Sequence, residues 1–123
     1  MEKKEIKQTV LDYINRNDSV SYAELEWLFE QKGYDYKGDL MACSDQNEHV
    51  VLWSGWSQEA FDLLGELIGD GLIHRVPADP LVYLIDGKGL RLPVVKRFIP
   101  YKTVHWLPAV FQMGSRTGAG GAG

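Results

Sequence analysis

SQEAFDLLGELIGDGLIHRVPADPLVYLID, residues 57–86, is the stretch whose reading decides the fold. Ser57 is an N-cap residue: its hydroxyl can accept from the free N–H groups of a first helical turn. Trp56 before it and Phe61 at the fourth helical position have the spacing of a hydrophobic staple. Glu59 places negative charge at the positive end of the helix dipole. Phe61, Leu64, Leu67 and Ile68 form one apolar helical stripe, and Gly71 suits a left-handed end position. The spacing predicts a helix that ends there. Leu72 to Val76 and Leu81 to Ile85, rich in branched and aromatic residues, then predict two short strands. Pro77-Ala78-Asp79-Pro80 between them is turn chemistry, so the pair reads as a β-hairpin.

Upstream, Ile6, Val10, Tyr13 and Ile14 share one face of a helix from Lys3 to about Asn17. Asn15 to Asp18 is a polar break. Ser21 and Glu24 stand three apart as a capping box, with Val20 and Leu25 at the staple positions. A second helix follows to about Lys32, burying Leu25, Leu28 and Phe29, with Gly33 ending it and Trp27 at its edge. Tyr34 to Glu48 reads as an irregular, turn-rich loop. His49 to Trp53 reads as a strand that could pair with the hairpin. The order helix, helix, strand, helix, strand, strand points to an α+β fold of winged helix-turn-helix type: three helices and a small antiparallel sheet with a wing.

At 123 residues the chain suits one domain with its own core. No apolar run is long enough to span a membrane, and MEKKEIKQTV lacks the apolar core of a signal peptide. A single cysteine, Cys43, makes no internal disulfide, so a cytoplasmic setting without membrane is expected. The net charge of −4 hides an asymmetry. All 17 acidic residues precede residue 87 and meet only seven Lys+Arg there, a balance of −10. Residues 87–123 hold no acid and six bases, a balance of +6.

Three segments follow: a winged-helix domain over 1–86, an extended basic and aromatic arm over 87–113, and a glycine-rich tail over 114–123. In the arm, Pro93, Pro100 and Pro108 exclude a continuous helix. The tail GSRTGAGGAG carries no apolar anchor and reads as flexible, with a cloning remnant as an alternative origin.

The residues also resemble a family. FDLLGELIGDGLI, PLVYLIDGKGLRLPV and YKTVHWLPAVF, together with SVSYAELEWLFEQKGYDYKGDL, are similar to small winged-helix proteins carried by phages and other mobile elements of Gram-positive bacteria. The resemblance spans about residues 3–112, and YK-x-x-HWLP-x-VF is its most specific part. It implies the fold and a mobile-element origin. It implies no catalytic residue or cofactor.

In a helix-turn-helix protein the third helix enters the major groove. Its exposed positions here would be Gln58, Glu59, Asp62, Gly65, Glu66 and Asp70, with no Lys or Arg between Trp56 and His74. Phosphate attraction supplies most non-specific affinity, and this helix would repel DNA. Nucleic-acid contact is therefore expected from Arg75 in the wing and from Lys88, Arg91, Lys96, Arg97 and Lys102 in the arm. Phe98, Tyr101, His105 and Trp106 are interleaved with these bases and could stack on unpaired bases. The bland alternative is that the aromatics complete the core and the bases merely solvate the arm.

The opposing reading is a protein-interaction module or inhibitor that contacts a host or self protein, including a homodimer. Tyr101, His105 and Trp106 would then anchor the partner. The acidic third-helix face could also imitate DNA. Enzymatic readings are thin: Cys43 and His49 could pair as nucleophile and base, but no third orienting group is apparent. Cys43, His49, His74 and His105 lack the paired spacing of zinc ligands. Gly65, Gly69 and Gly71 lack a phosphate-loop signature. Close packing against the third helix is the expected reason for Gly65 and Gly69.

Overall fold

A computed structural model describes residues 2–97 and 99–114. The element order is α1 (Lys3–Asn17), β1 (Val20–Ser21), α2 (Tyr22–Lys32), β2 (Lys37–Cys43), β3 (Val50–Trp56), α3 (Gln58–Gly69), β4 (Ile73–Pro77), α4 (Leu81–Ile85), β5 (His105–Trp106) and β6 (Ala109–Met113). The fold is mixed α+β, with two small sheets of three strands each. One has the order β1-β6-β4 and is antiparallel throughout. The other has the order β2-β3-β5, with β2 antiparallel and β5 parallel to β3. Among the described residues no helix is long and apolar enough to cross a membrane.

The helix signals are realised locally. Ser21 accepts from the Glu24 N–H at 3.0 Å, and Glu24 accepts from the Ser21 N–H at 3.2 Å, closing the capping box of α2. Ser57 caps α3 by accepting from Ala60 N–H. Trp56 stacks on Phe61 with ring centroids 5.2 Å apart, the expected staple. Gly71 is left-handed, with φ 74°, and its N–H reaches Ile68 while that of Leu72 reaches Leu67. These two bonds satisfy carbonyls that the end of α3 would otherwise leave free. Ile6, Val10 and Ile14 of α1 are fully buried, as are Leu25 and Phe29 of α2.

The hairpin expected over residues 72–85 does not form. Leu81–Ile85 is the short helix α4, and β4 pairs instead with β6, in a register running from Ile73 opposite Met113 to Pro77 opposite Ala109. The reason lies in the flanking residues. The Asp79 carboxylate accepts from Leu81 N–H at 2.9 Å, just ahead of the helix, and Pro80 supplies a preset helical φ. Gly87 takes a left-handed φ of 69° after it, and Lys88 N–H closes back on Tyr83. Start and stop signals overrode the strand propensity of LVYLI.

Three further expectations are corrected. Residues 37–43, read as loop, form β2, which pairs with β3 through a bulged register. The strand read at His49–Trp53 runs over Val50–Trp56, and it joins β2 and β5 rather than the β4 strand. Gly38 is the close-approach glycine of this hairpin: an added Cβ would lie 2.6 Å from the Ser57 backbone. Gly65 and Gly69, expected at a packed contact, have no such neighbour within 4 Å, and both are exposed.

The arm does not extend away from a finished domain. Trp106, Ala109, Val110 and Phe111 are buried, and β6 is the central strand of its sheet. Phe111 meets Tyr22 edge-on at 4.9 Å. Tyr83 bridges α4, Trp53 and Trp106. Gly114, counted with the tail, belongs to the sheet: its N–H donates to Leu72, and its carbonyl accepts from His74 Nδ1 at 2.8 Å. Residues 115–123 of the expected tail lie outside the described residues.

Candidate functional site

A cleft of about 780 Å³ lies between the two sheets. Its floor is apolar and includes Val50 and Leu52 of β3, Ile68 of α3, and Val76 of β4. One rim is Ser44, Asp45, Gln46 and Asn47, the turn between β2 and β3. The other carries Val95, Arg97, Ile99, Pro100 and Tyr101. His74 and Arg75 on β4 complete the wall.

Each polar side chain is placed by a local contact. Arg75 lies on the strand that pairs with β6, opposite Phe111, and is half-buried. Its guanidinium donates to Tyr22 Oη over a long 3.4 Å. Burial pushes the Tyr22 phenol above its ordinary value, and the charge of Arg75 opposes that shift. Among the described residues Arg75 and Arg97 form no ion pair. Segment 95–101 is tied down at three points. Val95 N–H donates to Trp106 O at 2.8 Å. The N–H groups of Lys96 and Arg97 both donate to Tyr101 Oη at 3.2 Å. His49 Nδ1 donates to the Tyr101 carbonyl at 2.9 Å. Tyr101 also packs on His105, with centroids 3.9 Å apart. On the far rim, Asn47 Oδ1 accepts from His49 N–H, which fixes that turn.

The expected nucleic-acid residues therefore divide. Arg75 and Arg97, 22 positions apart in sequence, line one cleft with Tyr101. Arg91, Lys96 and Lys102 are exposed on the same long segment, outside the cleft lining. Lys88 is held elsewhere: its ammonium pairs with Glu26 at 2.8 Å. The same Glu26 carboxylate accepts from both Trp53 and Trp56 indole N–H groups at 2.9 Å. Lys88 thus completes a partly buried network and is not presented freely to a phosphate. Of the expected partner anchors, Tyr101 and His105 are half-buried, but Trp106 is 3% exposed and belongs to the core. Its indole cannot anchor a partner from that position. Phe98 lies outside the described residues.

The sequence reading weighed His74 only as a metal ligand, and it assigned neither Val76, Ile99 nor the 44–47 rim to a site. A signal for the rim exists: SDQN is a compact polar turn between KGDLMAC and VVLWSGW. The Gly and Asp in KGDLMAC masked the strand that would have made the turn legible.

The face of α3 that points to solvent is acidic. Gln58, Glu59, Asp62, Glu66 and Asp70 are exposed. Glu66 binds Lys3 and Lys7 of α1 at 2.6 and 3.0 Å, and those bonds hold its carboxyl below the ordinary value. Cys43 is half-buried, and the His49 ring nitrogen nearest a partner is taken by Tyr101. Among the described residues no three His, Cys, Asp or Glu side chains cluster so as to hold a metal ion.

Comparison of the chain with protein-family models, with curated proteins and with solved structures finds no match.

Proposed function

We propose that the chain is a winged-helix protein of mobile-element type that associates with nucleic acid, in an accessory or regulatory role without catalysis. The convergence of Arg75 and Arg97 on one cleft carries this reading. Two cations from separate elements, neither in an ion pair among the described residues, offer a phosphate what the acidic α3 face refuses. Arg91, Lys96 and Lys102 extend the cationic track along the same segment. The topology supports the winged-helix part. Three helices pack with the antiparallel sheet β1-β6-β4, and β4 and β6 are its adjacent last strands. The wing then corresponds to residues 78–108, an enlarged connection that includes α4 and β5. The resemblance of the YK-x-x-HWLP-x-VF ending supports the mobile-element part.

Fluorescence anisotropy with labelled oligonucleotides at low salt tests the reading. Wild type binds, and Lys96→Ala/Arg97→Ala binds several-fold more weakly. No binding to duplex or single strand overturns it.

A second reading has its own observation. Leu81, Leu84 and Ile85 of α4 are 60%, 63% and 84% exposed, side by side on one short helix. An apolar patch of this kind suits a protein partner, in a module or inhibitor that does not touch nucleic acid. A Leu84→Ser/Ile85→Ser variant that loses a host partner while oligonucleotide binding was never present favours this reading.

A further inference from the structure

We infer that the cleft between the sheets accepts a single unpaired nucleotide, an inference that rests on the nucleic-acid reading above. Three features of the cleft lead there. Its volume of about 780 Å³ falls within the range of roughly 300–1,000 Å³ seen for small-ligand pockets. It is far more than a side chain fills, and it is a half-open recess rather than a groove-reading protrusion. Its floor, with Val50, Leu52 and Val76, suits the faces of a base. Its lining includes two cations, Arg75 and Arg97, for a phosphate, and Asp45 and Asn47, which offer an acceptor and amide donors to a base edge.

Duplex DNA cannot use such a recess. Its bases are stacked inward and offer only their edges in the grooves. Reading grooves requires a protruding element of favourable charge, and α3 carries three exposed carboxylates instead, with a fourth on its C-cap Asp70. A base can enter the cleft only from a strand already unpaired, or after leaving the stack at a cost. The cleft is also built before any ligand arrives. Tyr101 Oη holds the Lys96 and Arg97 backbone, and Asn47 holds the opposite turn. Binding therefore orders little additional chain.

The chemistry is that of a nucleoside phosphate, whether free or within a single strand. The test compares the intact protein and three variants in binding titrations at fixed salt. The probes are a single-stranded oligonucleotide, its duplex, and a free nucleoside monophosphate as competitor. Three variants report on the site. Arg97→Glu and Lys102→Glu change net charge equally, but only Arg97 lines the cleft. Val76→Phe fills the floor without changing charge, and its thermal melt checks the fold.

The expected result is preference for the single strand, competition by the monophosphate, and a loss of about tenfold or more for Arg97→Glu and Val76→Phe, the size of one lost stacked base. Lys102→Glu loses only about two- to threefold, as a screened surface charge does. Duplex binding as tight as single-strand binding, with Val76→Phe unaffected, overturns the inference and leaves the nucleic-acid reading standing. Binding of the monophosphate without either polymer supports the cleft and overturns the nucleic-acid reading. Binding of none of the three overturns both.

Discussion

The hydroxyl of Tyr83 donates to the carbonyl of Ala109 at 2.6 Å, and it accepts from the Tyr22 N–H at 3.1 Å. One buried phenol thus ties α4 to the central strand β6 and to the start of α2. Removing it leaves a carbonyl and an N–H in a region closed to water. Tyr83→Phe is expected to cost about 1–3 kcal/mol, measured by urea denaturation. An unchanged midpoint would contradict the assigned contacts.

Gly38→Ala tests the backbone contact between β2 and the start of α3. The new methyl would sit 2.6 Å from Ser57 Cα and N, atoms that cannot rotate away. The expected loss is about 1–3 kcal/mol or more, seen as a lower melting temperature. Gly65→Ala on exposed α3 should do the reverse, raising stability by up to about 1 kcal/mol, because nothing opposes the methyl and helix propensity improves.

Glu26 is the joint of a second network, with Trp53, Trp56 and Lys88 all donating to it. Its side chain is only 12% exposed, so Glu26→Ala strands two indole N–H groups. A loss of about 2–4 kcal/mol is expected, with a shift in tryptophan emission. Lys88→Ala should be milder, since Lys88 is more exposed and its charge is better screened. Equal effects would place the network's weight on the ion pair instead.

Alkaline pH should destabilise the fold through its tyrosines. Burial first, and the bond to Glu30 second, push the Tyr36 phenol well above its ordinary value of 10.0. Burial does the same for Tyr83, Tyr22 and Tyr34. The folded state then holds these protons more tightly than the unfolded chain does. Their contribution is full below pH 10.0, the ordinary phenol value, and is lost as pH rises above it. Absorbance at the phenolate band against pH, recorded with circular dichroism, checks this. Most phenolate should appear together with unfolding.

Local signals made the helices legible. Ser21 with Glu24, Ser57, Gly33 and Gly71 act within one turn of chain, so residues 3–33 and 57–71 could be read without tertiary knowledge. The α+β class was legible from the same order of elements. Strand partners were not. The pairing of β4 with β6 joins Ile73 to Met113 across residues that contain all five prolines of the chain, and nothing in either segment names the other. Leu81–Ile85 misled because its composition suits a strand while its flanks, Asp79-Pro80 and Gly87, suit a helix. Lys88 and Trp106 were counted as surface residues because sequence shows charge and aromaticity but not the Glu26 carboxylate or the packing with Trp53 that claims them. The acidic surface of α3 was readable because its apolar stripe fixed the opposite face.

The slope of log affinity against log salt, compared between wild type and Lys96→Ala/Arg97→Ala, tests the nucleic-acid reading most directly. Two lost phosphate contacts should flatten the slope by roughly 1.4 on a single strand, with weaker binding at every salt concentration. A slope identical to that of the wild type, or no binding to either strand form at low salt, contradicts the account.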